Sequence, residues 1–116
     1  MTLKEFYECI GSNYDAVLMR MSGSEKMLDK FVRKFPGEET AAQLFEALKN
    51  EDYELAFRMA HTLKGLSANL GLDRLQKASS ELTEALRNQV ADNAGELAKA
   101  VKDEYDKVIS ALDKLN

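Results

Sequence analysis

Residues 53–71 read YELAFRMAHTLKGLSANLG, and the spacing of their apolar side chains decides the fold. An α-helix advances ~100° per residue. With Leu63 set at zero on such a wheel, Leu70, Met59, Ala56, Ser67 and Leu66 fall within roughly 60° of it, and Leu55 lies a little outside that arc. This spacing predicts one long helix from Tyr53 to about Leu70 with one face in a core. Asp52 stands where an N-cap belongs, and Gly71 where a helix ends. His61 is the only histidine in the chain. It falls at roughly 160°, almost opposite Leu63, and is expected to face solvent.

The pattern continues on both sides. Upstream, Thr2-Leu3-Lys4-Glu5 has capping-box spacing and opens a short helix to about Ile10, which Gly11 ends. Asn13 to Met21 forms a second short piece. Ser22-Gly23-Ser24-Glu25 reads as another capping box before a helix carrying Met27, Leu28, Phe31, Val32 and Phe35 at helical spacing. Pro36-Gly37 stops it. Glu38 to Lys49 places Ala41, Leu44, Phe45 and Leu48 on one face. Downstream, Asp73 is a candidate cap for a helix whose stripe is Leu72, Leu75, Ala78, Leu82, Ala85 and Leu86. Asn88 to Asp92 reads as a tight loop. Asn93-Ala94-Gly95-Glu96 opens a last helix with Leu97, Val101, Tyr105, Val108, Leu112 and Leu115 in steps of four and three. That alternation is the seam of antiparallel packing. The expected fold is all-α: an up-and-down antiparallel four-helix bundle over about 24–115, with short additional N-terminal helices over about 2–21. Residues 1–116 read as a single helical domain.

Composition narrows the function. A single proline in 116 residues leaves long stretches free to be helical. The net charge is −4 and no basic stripe carries aromatics, so nucleic acid is not an expected partner. The one cysteine, Cys9, cannot form an internal disulfide and reads as a small buried hydrophobe rather than a reactive thiol. No apolar run approaches the ~20 residues of a membrane span, and MTLKEFYECIG lacks the apolar centre of a signal peptide. The expectation is a cytoplasmic, monomeric protein with no membrane partner.

The outer strip of the central helix carries the chemistry. Phe57 and Arg58 precede His61 by four and three positions, Lys64 and Gly65 follow it by three and four, and Ala68 continues the line. Such a face normally fills with charged residues. Here a large aromatic, a bare backbone position and a methyl surround an imidazole. Mid-helix glycine costs about 1 kcal/mol relative to alanine. Neutral drift or a close contact with another helix would account for Gly65, but the wheel places it on the outer face, which argues against a contact within the bundle. Steric clearance for another protein's backbone accounts for it there.

One histidine and a distant cysteine do not make a metal site, and a flanking lysine repels a cation. A convex helix face offers no pocket or oxyanion hole for acyl transfer. A neutral imidazole can itself act as a nucleophile at neutral pH. Beside a cation and a flat, partly apolar rim, it suits phosphoryl transfer between two docked proteins.

At these residues the chain resembles histidine-containing phosphotransfer (HPt) domains. The family pattern runs His, any residue, a hydrophobic residue, Lys, Gly, then small and apolar residues to a glycine. Here it stands as His61-Thr62-Leu63-Lys64-Gly65-Leu66-Ser67-Ala68-Asn69-Leu70-Gly71. Phe57 to Ala60, the turn at Gly71-Leu72, Leu75-Gln76 and the upstream MSGSEKMLDKFVRKF also match, so the likeness spans roughly residues 12 to 112. The position after Gly65 is often small in the family and is Leu66 here, at the edge of the core, which reads as a packing variation.

The resemblance implies that His61 accepts the phosphoryl group, that Lys64 steadies that group or the partner's aspartate, and that Gly65 gives access to the ring. It implies a docking rim of Phe57, Arg58, Ala68 and Asn69. The implied partners are a response-regulator receiver domain and a sensor or hybrid histidine kinase. No cofactor is expected on this chain, because the Mg²⁺ belongs to the receiver. With no nucleotide fingerprint, autophosphorylation from ATP is not expected. Two other readings stand beside this one. One is a helical adaptor that binds receivers without transferring; the other is a module of a larger hybrid or chemotaxis-type kinase. Met1 at the start and a helix ending at Asn116 suit a free-standing protein.

Overall fold

The structure is a computed structural model and describes residues 1–87 and 93–116. Helix α1 spans Leu3–Cys9, α2 Tyr14–Arg20, α3 Glu25–Lys34, α4 Thr40–Lys49, α5 Tyr53–Leu70, α6 Asp73–Arg87 and α7 Ala94–Asp113. A 3-10 turn at Phe35–Gly37 follows α3, around the single proline. No strand occurs among the described residues. The protein is an all-α bundle, as the apolar periodicity predicts. No helix among the described residues is long and apolar enough to cross a membrane.

Side-chain caps set many of the helix starts. The Thr2 hydroxyl accepts from the Glu5 N–H while the Glu5 carboxylate accepts from the Thr2 N–H, a complete capping box. That backbone donor holds the Glu5 carboxyl below its ordinary pKa. Asn13, Ser24 and Asp52 cap α2, α3 and α5 by accepting from the N–H groups of Ala16, Met27 and Leu55. Helix α5 has the bounds its apolar spacing predicts.

Several expectations are corrected. Ser22 does not open a capping box: it sits at φ 54°, in the left-handed region, and Ser24 caps instead. Glu25, freed from that box, accepts from the Tyr14 hydroxyl at 3.0 Å. Helix α4 starts at Thr40 rather than Glu38, because Glu38 is extended after the 3-10 turn. Asp73 is the first residue of α6 rather than the residue before it, and its N–H donates to the Ser12 hydroxyl at 3.3 Å. Cys9 is exposed, since it falls outside the arc of Leu3, Phe6, Tyr7 and Ile10 that α1 buries. On α3 only Leu28 and Val32 are buried; Met27 and Phe31 stay 46% and 40% exposed, one step round the helix on its uncovered flank. The loop expected at Asn88 to Asp92 lies outside the described residues.

One continuous cluster of buried side chains joins the seven helices of the described residues. Helix α5 packs against α4 and α6, and α6 packs against α7. The buried face of α5 is Ala56, Ala60, Leu63, Ser67 and Leu70, small enough at three positions for close approach. Burying a leucine such as Leu63 contributes about 1.5–3 kcal/mol relative to leaving it exposed.

The N-terminal helices fasten the far end of α5. The Tyr7 hydroxyl, buried, donates to the Leu70 carbonyl at 2.7 Å, and Arg20 Nη1 donates to the Ala68 carbonyl at 2.8 Å. The Leu70 carbonyl is one that a helix C-terminus leaves without an intrahelical partner, and the Ala68 carbonyl also accepts from the Gly71 N–H at 3.3 Å. Burial pushes the Tyr7 hydroxyl pKa well up, so it stays a donor. Gly71 then turns the chain at φ 69°, and the Val17 side chain occupies the place where a Cβ would stand.

Candidate functional site

His61 lies mid-way along α5, one turn after Phe57, and is exposed. The two rings are nearly parallel, 17° apart with centroids 6.4 Å from each other. Phe57 is half-buried at the edge of the core, so it gives the imidazole a firm apolar neighbour on one side. The helix carries the ring outward because its opposite face is held by Leu63, Ala60 and Ala56 in the core.

On the other side lies Gly65, also exposed. A Cβ added there would meet nothing within 4 Å, so no neighbouring helix explains the glycine. The bared backbone continues the surface around the imidazole. Lys64 is half-buried on the same strip and forms no ion pair among the described residues. Ala68 is half-buried, and Arg58 and Asn69 are exposed. The Thr62 hydroxyl turns back to donate to the Arg58 carbonyl at 2.9 Å, which leaves it out of the strip's chemistry.

All seven residues singled out from the sequence therefore lie on α5, and the structure adds two from other helices. Arg87, at the end of α6, places its guanidinium 5.2 Å from the centroid of the Phe57 ring, on which it can stack. Arg20, at the end of α2, reaches Ala68. Apolar spacing along α5 could not have found either one. Both depend on how separate helices are set against each other.

The strip from residue 55 to residue 72 contains Arg58 and Lys64 and no carboxylate, on a chain of net charge −4. The exposed imidazole of His61 lies between these two cations in the chain. Among the described residues no three His, Cys, Asp or Glu side chains group as a metal would require.

This is a helical bundle that presents one bare imidazole on an exposed helix face. The family model of the Hpt domain matches residues 26–111, and the chain belongs to that family. Membership gives it a phosphotransfer role in two-component signalling, as a carrier rather than a kinase, in interaction with receiver domains and kinases. Among curated proteins and among solved structures no significant match was found.

Proposed function

We propose that the protein is a relay carrier that accepts a phosphoryl group on His61 from the aspartate of a receiver domain, or from a kinase, and passes it to the aspartate of a receiver. The observation that carries this reading is the exposed imidazole between the Phe57 ring and the open backbone at Gly65. A receiver docks on Phe57, Arg58, Ala68 and Asn69 and brings its acyl phosphate over the ring. The Nε2 lone pair of His61 attacks phosphorus in line. The P–N bond forms as the P–O bond to the aspartate breaks, and the carboxylate leaves with that electron pair. The reverse sequence, with the carboxylate of a second receiver as nucleophile, unloads the ring.

Lys64 places positive charge beside the three phosphoryl oxygens, and Gly65 lets the receiver's backbone come close enough for the in-line approach. Mg²⁺ and the acidic cluster that holds it belong to the receiver. The up-and-down antiparallel order of α4, α5, α6 and α7 is part of the same reading. The connections at 50–52 and 71–72 are too short to allow anything but a reversal between helices that pack on each other.

The test is a receiver domain carrying labelled phosphate, mixed with this protein and Mg²⁺. Label is expected to move to the chain in an acid-labile, base-stable linkage, and His61→Gln is expected to abolish the transfer. Label that persists in the His61→Gln variant, or a linkage stable to acid, overturns the assignment.

A further inference from the structure

We infer that the docking face continues past α5 onto α2 and α3, and that Arg20 is a specificity-determining cation pairing with an acidic side chain of the docked receiver domain. This rests on the phosphotransfer reading above and adds a contact to it. Arg20 is the last residue of α2 and precedes residue 26, where the family match begins. It therefore belongs to a part of this chain outside the matched segment.

Geometry brings it to the site. Arg20 Nη1 is held on the Ala68 carbonyl at 2.8 Å. Ala68 lies two turns beyond His61 on the same strip, so the guanidinium is anchored roughly 10 Å along the helix axis from the level of the imidazole. That bond uses one of the five N–H donors of the group, and the others have no partner among the described residues. An arginine fixed in this way loses less conformational freedom on pairing than one waving in solvent.

The surroundings specify what it pairs with. Between α2, α3 and the end of α5 runs an open groove of ≈ 650 Å³, with Phe31 and Leu66 among its apolar lining residues and Arg20 and Lys34 as its cations. Ala68 and Asn69 line both this groove and the strip of His61, so the two surfaces are continuous. Phe31 is 40% exposed there, an apolar ring that no part of the described chain covers. Among the described residues Glu38 is the only carboxylate lining the groove. On an acidic protein the groove thus holds two cations, Arg20 and Lys34, against one carboxylate, and it adjoins the strip that carries Lys64. The complementary surface is negatively charged with an apolar centre, and a receiver docked over His61 reaches it without changing its seat.

Two substitutions separate this contact from a merely structural clamp. Arg20→Gln removes the charge and, with its shorter side chain, the Ala68 anchor; Arg20→Lys keeps the charge on a side chain of nearly full reach, and the salt dependence of KM reads the charge apart from the anchor. Transfer is measured from a phosphorylated receiver chosen because it loads the wild-type chain, over a range of receiver and NaCl concentrations. Phosphoramidate, a small donor that phosphorylates imidazole without docking, is run in parallel. Arg20→Gln is expected to raise KM for the receiver about fivefold at low salt, with kcat and the phosphoramidate rate unchanged. Arg20→Lys is expected to recover most of that loss, and the gap to close by about 0.5 M NaCl. A KM for Arg20→Gln equal to wild type overturns the proposal. So does an Arg20→Lys variant as slow as Arg20→Gln at every salt concentration. If phosphoramidate loads His61 but no receiver loads the wild-type chain, the phosphotransfer reading fails first and takes this contact with it.

Discussion

Gly65 and Gly71 stand on either side of the last two turns of one helix, yet a methyl group added to each would meet different surroundings. At Gly71 the backbone is left-handed, at φ 69°, and the Val17 side chain already fills the place. The fold itself requires glycine there, because α2 lies against the turn that ends α5. At Gly65 the backbone is ordinary helix, and nothing lies within 4 Å of the added carbon. Nothing inside the described chain requires glycine at that point, although it costs about 1 kcal/mol against alanine. One glycine makes room for the molecule's own valine. The other leaves room beside His61 that the molecule does not use. The helical wheel already sets Gly65 on the outer face and Gly71 at the helix end, but only the neighbours show that Val17 fills one place and that the other stays open.

Substitution at each position tests the contrast. Gly71→Ala is expected to destabilise the fold by about 2–4 kcal/mol, the sum of a left-handed alanine and an overpacked contact with Val17. Urea unfolding checks it, with transfer per folded molecule unchanged. A loss below about 1 kcal/mol would mean that α2 moves aside freely and does not lock the end of α5. Gly65→Gln is expected to do the opposite: at least about tenfold slower transfer from a receiver, with the urea midpoint close to wild type. Wild-type rates in that variant would leave the clearance beside His61 without a purpose.

How much of this was legible depends on how many helices each feature involves. The bounds of α5 and the outward aim of His61 follow from one helix alone, through the 3.6-residue period, the Asp52 cap and Gly71. The period also placed Leu28 and Val32 on the buried side of α3, but it could not say that the flank carrying Met27 and Phe31 would go uncovered. Cys9 failed for the same kind of reason. An apolar neighbourhood in sequence does not fix which way one side chain turns. Ser22 had the residue type of a cap and the wrong backbone, since the left-handed turn at Ser22-Gly23 moves the capping position to Ser24. In the candidate site, Phe57, His61, Lys64, Gly65 and Ala68 share one helix and could be read together. Arg20 and Arg87 arrive from α2 and α6, and no periodicity within a helix encodes the register between helices.

The mildest change sharpens the comparison most. Gly65→Ala introduces the same methyl group as Gly71→Ala, on the same helix, and is expected to move stability the other way. Alanine in a helix interior restricts the unfolded chain more than glycine does and covers the backbone, so the gain should be about 0.5–1 kcal/mol in urea unfolding. A single methyl takes only part of the clearance, so transfer should fall less than in Gly65→Gln. A variant that instead unfolds at lower urea would place some other segment of the chain against that spot. The imidazole beside it would then be roofed by its own molecule, and the outer face of α5 would be an internal surface like the end at Gly71.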